Sequence, residues 1–301
     1  MAEVFYFKIA LHYKIIDKPN SRSSHQVPTI RGGGIIFLVG VVLFYFWNDN
    51  KYPYLLIGLL VSGAVSFLDD IRSLPSWVRF TAQIISVVLI FRECEILSFI
   101  PVFYLLVIGI VAIAIVNAFN FMDGINGMTG LYSLSILIPL YISEQNEGLR
   151  SLQLFTIFGL LVFNFFNTRK KAVCFAGDVG SITIAMLVIF LMIQRIHQTG
   201  NFIYAGMLLL YGIDSMYTIL QRAIQKENIF KAHRKHLYQY LSNEKKLPQL
   251  WVSIAFAGIQ VIINFFIINN NLNLVGLLIL FSFLTVAYWI MKAPFLAVKK
   301  A

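Results

Sequence analysis

From residue 32 onward the chain is a succession of apolar runs separated by short polar stretches. A helix needs roughly 20 apolar residues to cross a bilayer. Ten runs read as spans: 32–47, 53–68, 79–91, 99–116, 127–142, 151–167, 179–194, 201–220, 250–268 and 272–291, the first and third being short. Ahead of them, Val4 to Ile16 mixes apolar residues with Lys8, His12 and Lys14, which suits an amphipathic helix lying in a membrane interface. The pattern predicts an all-α polytopic membrane protein of about ten transmembrane helices, organised as one integral membrane domain over residues 1–301.

Composition agrees: 58% of residues are hydrophobic and 13% charged, against roughly 25% charged in soluble domains. The formal charge of +10 changes the picture more, because of where it sits. Twenty of the 24 Lys and Arg fall in one set of alternating loops and four in the other. Such a bias marks the first set as cytoplasmic. The basic balance is thus a topology signal, and nucleic acid is not an expected partner. Two cysteines, Cys94 and Cys174, suggest neither a disulfide framework nor a metal cluster. No cleavable signal peptide is visible.

The unusual polar clusters all fall on the basic side. Asn117-Ala-Phe-Asn120-Phe-Met-Asp123-Gly-Ile-Asn126-Gly127 joins two apolar runs without a Lys or Arg. It reads either as a turn and cap or as a used site, since polar groups at a span's end are costly unless solvated or employed. Asn20 to His25 and Pro28-Thr-Ile-Arg31-Gly-Gly-Gly34 combine hydroxyls, arginines and glycines. That run suits a phosphate cradle of backbone N–H groups or a juxtamembrane hinge. Asp69-Asp70 ends an apolar run; adjacent carboxylates repel, which fits a metal site or a base. Phe175-Ala-Gly-Asp178-Val-Gly-Ser181 opens a span. Asp178 there is a capping residue, or its glycines admit something close to the backbone. His233-Arg234-Lys235-His236 lies in the longest loop. Two His among Lys and Arg fit an anionic, magnesium-bound substrate better than a transition metal, the alternative being a solvated basic face. Asp214 lies within a span, about 12 Å below Arg222 at 1.5 Å per residue, turned inward and ordering the site from behind. Taken together on one face, these groups point to phosphoryl chemistry between a soluble donor and a lipid.

In order, spacing and sidedness these motifs resemble those of the polyprenyl-phosphate N-acetylhexosamine-1-phosphate transferases (glycosyltransferase family 4), over nearly the whole chain. The Arg22-Ser-Ser-His25 and His233-Arg-x-His236 runs resemble the branch that starts O-antigen, common-antigen or teichoic-acid chains more than the peptidoglycan branch. The resemblance implies transfer of N-acetylhexosamine 1-phosphate from a UDP-N-acetylhexosamine to undecaprenyl phosphate. The products are undecaprenyl-diphospho-sugar and UMP, formed with Mg²⁺ in the bacterial inner membrane by a site facing the cytoplasm. It further implies that Asp178 and Asp123 face the metal, and that Asp69, Asp70 and Asp123 serve catalysis. Asn117, Asn120, Asn126 and Arg31 would bind substrate, Phe175 would stack on uracil, and His233, Arg234 and His236 would hold the sugar diphosphate. A homodimer is compatible with this reading.

Two features depart from the family pattern. Asn126 stands where many members carry a second Asp, although Asn still donates and accepts hydrogen bonds. The family usually has eleven spans, and the one expected before the Arg-Ser-Ser-His loop is missing, leaving ten. A transporter or flippase of an anionic lipid or metabolite is the main alternative, but it would favour ionisable groups near the midplane in paired halves. A CDP-alcohol phosphotransferase lacks support because Asp123-Gly124 is followed by Ile-Asn-Gly-Met. A non-catalytic assembly partner is a further alternative.

Overall fold

The computed structural model describes residues 1–19, 24–228, 233–269 and 272–298. All ten expected spans are helical. Helices α2 (Ile35–Trp47), α3 (Pro53–Ile71), α4 (Ser76–Glu93), α5 (Val102–Met122), α6 (Met128–Ser143), α7 (Glu147–Asn167) and α8 (Gly177–Thr199) follow one another through short loops. The eighth span starts as a 3₁₀ segment, Phe202–Leu208, and continues as α9 (Leu209–Ile224). A short turn of helix, α10 (Leu237–Gln239), precedes α11 (Gln249–Ile268) and α12 (Leu274–Val298). Seven of these helical stretches are long and apolar enough to cross a membrane, and α2 and α6 are shorter apolar helices. α4 meets neither description; its 18 residues carry Arg79, Arg92 and Glu93.

α8 forms the centre, with 78% of its most apolar window buried, whereas α12 lies at the periphery with 6%. α3 and α5 pack on α8, and α6 packs on α11 and α7. Isoleucine, valine and leucine on the outer faces of α5 and α12 remain uncovered, as in Val107, Ile110, Leu278 and Ile279. Such faces are expected of lipid-exposed helices, because lipid tails are as apolar as the side chains they meet.

The N-terminal segment is helical, as α1 (Ala2–His12), but it packs on protein more than an interfacial helix would. Tyr6 meets Phe67 and Phe7 meets Phe166, with ring centroids 6.2 and 5.0 Å apart. Glu3 lies on the same buried face, 3.7 Å from Cys174 Sγ, and burial pushes its carboxyl up to about 8. The reason is local: α1 covers a small platform where β1 (Ile16–Asp17) pairs antiparallel with β2 (Thr29–Ile30). Ile30 also bridges to Cys174. This platform fixes Arg31 and Phe175 side by side at one end of the bundle.

Candidate active site

At that end lies a cavity of about 230 Å³. Its wall takes residues from three of the polar stretches: Arg31, then Asn120, Asp123 and Asn126, then Phe175 and Asp178. Asp178 projects from the first turn of α8, where acidic side chains are favoured by the helix dipole. Arg31 joins two carboxylates, with Nε 2.6 Å from Asp70 and a terminal nitrogen 3.1 Å from Asp178. Arg79 does the same for Asp69, at 3.1 Å, and Asp178, at 3.7 Å. Burial alone would lower the Arg31 pKa, but Asp70 and Asp178 raise it, so the guanidinium stays charged.

Asp70 lies behind the cavity wall. Its side chain is fully buried, and its two oxygens accept the N–H groups of Asp178 and Val179 at 2.9 and 3.1 Å. A carboxylate on the first amides of α8 satisfies donors that no helical carbonyl can reach. Asp69 is equally occupied, accepting from the Leu74 N–H at 2.6 Å and from Arg79. These two carboxylates therefore shape the turn from α3 to α4 and the start of α8.

The glycines explain how the segments come so close. Gly177 has φ +71°, and a Cβ there would meet Asp70 Oδ2 at 2.5 Å. A Cβ on Gly34 would fall 2.2 Å from Gly180 Cα. What approaches the backbone is thus the chain itself. The Gly33 and Gly34 N–H groups donate to the Phe175 and Ala176 carbonyls at 2.8 and 3.0 Å. Those two amides build the platform and are not available as a phosphate cradle.

Asp123 closes α5 and faces the cavity. One oxygen accepts from the Thr129 hydroxyl at 2.7 Å. Burial pushes its carboxyl up to about 6; Asp178 adds to the shift, and Thr129, Arg31 and the Gly177 N–H oppose it. Asn120 donates to Ser181 Oγ at 3.2 Å. Asn126 donates to the Arg169 carbonyl at 3.0 Å, and its own N–H is taken by Gln249 at 3.1 Å. Phe175 meets the His25 ring at 4.8 Å. Asn117, by contrast, donates to the Ile113 carbonyl of its own helix at 2.8 Å and does not line the cavity.

The His-Arg-x-His run lies to one side. His236 is 1% exposed, 3.4 Å from Asp214, and its ring is 4.9 Å from that of His233. Arg234 is 3.9 Å from Glu244. Burial, then His236 and nearby cations, push His233 down to about 3, so it is neutral. None of the three lines the cavity. Of the Arg-Ser-Ser-His run, Arg22 and Ser23 lie outside the described residues. Residues not singled out in the sequence also shape the site, namely Arg79 and Gln249. Gln249 reaches from α11 to the Ser24 carbonyl at 2.6 Å and holds loop one against Asn126. A basic residue soon after a carboxylate pair, and an amide opening an apolar span, are the only sequence signals they leave.

Among the described residues no group of three or more His, Cys, Asp or Glu is placed to hold a metal ion. Magnesium asks for less: one or two carboxylates, with phosphate and water oxygens completing the shell. Asp123 and Asp178 are hard oxygen donors on one cavity wall, and burial pushes the Asp123 carboxyl up to about 6, a cost that a cation beside it would offset. They fit such an ion.

Residues 52–196 match the family model described as glycosyl transferase family 4. That segment holds Asp69, Asp70, Asp123 and Asp178, the carboxylates just described. Over that segment the chain is similar to glycosyltransferase family 4. It is 27% identical to an undecaprenyl-phosphate alpha-N-acetylglucosaminyl 1-phosphate transferase of Thermotoga maritima, over 81% of this chain and 79% of that one. It is 23% identical to a probable undecaprenyl-phosphate N-acetylglucosaminyl 1-phosphate transferase of Bacillus subtilis, over 78% of this chain and 71% of that one. A phospho-N-acetylmuramoyl-pentapeptide-transferase of Dictyoglomus turgidum is 24% identical over 73% and 76%. Relatives of both kinds thus match at similar identity, so overall identity does not separate the branches.

Proposed function

We propose that this protein transfers N-acetylhexosamine 1-phosphate from a UDP-N-acetylhexosamine to undecaprenyl phosphate and so starts a cell-envelope polysaccharide. The observation that carries this reading is the shared cavity. Arg31, Asp123, Asp178, Asn120, Asn126 and Phe175 come from three separate stretches and converge on one wall at one end of the bundle. At about 230 Å³ it is smaller than the roughly 300–1,000 Å³ that encloses a drug-sized ligand. It would take the diphosphate and leave the lipid chain outside.

In the reaction a phosphate oxygen of the lipid attacks the β-phosphorus of the donor, and the bond to the UMP oxygen breaks. Arg31 opposes the charge on the diphosphate, held in place by Asp70 and Asp178. Asn120 and Asn126 supply amide donors beside it, and Phe175 offers a ring face to the base. Asp123, ionised above about pH 6, is the carboxylate free to take a proton or face a cation. Magnesium, held by Asp123 and Asp178, would neutralise phosphate oxygens and stabilise the leaving UMP. The basic-loop bias supports a reading in which this end of the bundle faces the cytoplasm from a bacterial inner membrane.

The test is UMP release by detergent-solubilised protein from a panel of UDP-sugars, with short-chain polyprenyl phosphate and magnesium and with product masses recorded. A lipid diphosphosugar from a UDP-N-acetylhexosamine is expected. No UMP from any donor would overturn the reading.

A further inference from the structure

Beside the cavity, α9 and α12 enclose a second group of charged side chains that the reaction above does not use. Asp214 and His236 are each 1% exposed and Lys292 is fully buried. Lys292 counts in the sequence as a basic residue of the C-terminal tail; in the fold it points into the protein from α12. Its ammonium donates to Thr218 Oγ1 at 2.9 Å and to the Tyr288 hydroxyl. Both hydroxyls donate onward to Asp214 Oδ1, at 3.2 and 3.3 Å. The same oxygen accepts the Leu237 N–H at 3.0 Å and lies 3.4 Å from His236 Nδ1.

From Leu237 the path reaches the cavity in one more residue. The Tyr238 ring is fully buried, and its hydroxyl donates to the Phe121 carbonyl at 2.9 Å. A Cβ on Gly124 would lie 2.0 Å from that hydroxyl. Tyr238 therefore packs against the residues on both sides of Asp123. A carboxylate sealed from water needs an opposite charge, and breaking such a pair leaves the survivor uncompensated. An ionised acceptor also makes the stronger hydrogen bonds. Lys292 reaches Asp214 through the Thr218 and Tyr288 hydroxyls and adds its charge to that of the nearer His236. Asp214 fixes the backbone at Leu237, and that backbone sets Tyr238 against the Phe121–Gly124 turn.

We propose that Lys292 is a positioning residue for Asp123, acting through Asp214 and Tyr238. This rests on the reading that Asp123 serves the transfer reaction. The test uses the full chain in detergent and compares wild type, Lys292→Met, and Lys292→Met with Asp214→Asn. Lys292→Met should lower kcat per folded enzyme at least about tenfold, with donor KM within about twofold, since an ångström of misplacement can cost far more. The double variant removes both charges yet keeps an acceptor oxygen for Leu237, so it should recover most of the kcat. A purely structural lysine would change thermal stability and leave kcat per folded enzyme alone. Unchanged kcat in Lys292→Met, a loss confined to KM, or a double variant no better than the single would overturn the proposal. If Lys292→Met does not fold, Tyr238→Phe decides, because it keeps the ring and removes the hydroxyl; an unchanged kcat there overturns it equally. Hydrogen exchange over 118–128 and 237–244 should quicken in Lys292→Met and recover in the double variant. That readout needs no turnover, so absent wild-type activity would defeat the reaction while leaving the positioning role decidable.

Discussion

The cavity at the ends of α3, α5 and α8 and the cluster between α9 and α12 each set an aspartate against basic side chains. Their exposure differs. In the cavity the Arg31 side chain is 34% exposed and that of Asp178 15%. In the cluster Asp214 is 1% exposed and Lys292 fully buried. An ion pair open to water can exchange one partner for an incoming phosphate or cation at little cost. A sealed set of charges cannot be opened without stranding one of them, so it is suited to holding geometry. The first region is therefore where substrate charge arrives, and the second keeps the first in shape.

The largest effects should come from the carboxylates that face the cavity. Asp123→Asn and Asp178→Asn are each expected to lower turnover by roughly 10³-fold, the scale of losing a positioned acid–base or electrostatic group. Both variants should remain folded in detergent, measured by thermal unfolding and gel filtration. Near-normal UMP release from either at limiting magnesium would erase the distinction between an open, reacting region and a closed, supporting one.

The next effect is one of pH. Burial raises the Asp123 carboxyl from 3.8 to about 6. Between those values the folded chain keeps a proton that the unfolded chain has released, so stability falls as pH rises through this window and stays lower above it. A bound cation relieves that penalty only where Asp123 is ionised. Turnover should therefore drop about tenfold per pH unit below 6, as a required carboxylate titrates. The rise in unfolding temperature on adding magnesium should be larger at about pH 7.5 than at pH 5. Equal rises at both would detach Asp123 from the cation.

A third effect separates wall from support. Asp70 is placed to cap α8 and hold Arg31, with no surface on the cavity. Asp70→Asn keeps an acceptor but removes the charge on a buried pair, so a fall in unfolding temperature of about 5 °C or more is expected. Turnover should fall with Arg31 misplaced, and the pH profile should keep its shape. A profile that shifts with the variant would instead make Asp70 the titrating base.

The sequence makes the helices legible because each apolar run is long and its ends carry turn chemistry. It also marks the stretches that converge, since polar groups at the ends of spans have few other uses. It does not show which carboxylate faces the void. Asp69 and Asp70 look as reactive as Asp123 in the sequence, and only the approach of α8, permitted by Gly177 and Gly180, turns Asp70 into a cap. Nor does it show that Lys292, counted among the tail charges, points inward. That depends on how α12 packs against α9, and a peripheral helix of nearly uniform apolarity leaves no pattern from which to read its buried face.

The smallest expected effect tests the boundary of the open region on a single helix. Asn117 and Asn120 are one turn apart on α5, and both carry the same amide. Asn120 reaches across to Ser181 on α8 and lines the cavity. Asn117 bonds only the Ile113 carbonyl, four residues back, a carbonyl already used by the helix. Local side-chain bonds of this kind add little to a helix, and removing one outside a core is expected to matter by about 0.5 kcal/mol or less. Asn117→Ala should leave kcat and both KM values within about twofold and the unfolding temperature within about 2 °C. Asn120→Ala should lower kcat/KM for the donor by about tenfold, the scale of one hydrogen bond to a charged group. The measurement is steady-state kinetics of the two variants side by side. If Asn117→Ala proves as damaging as Asn120→Ala, the substrate must extend along α5 beyond the cavity, and the open region is larger than its walls indicate.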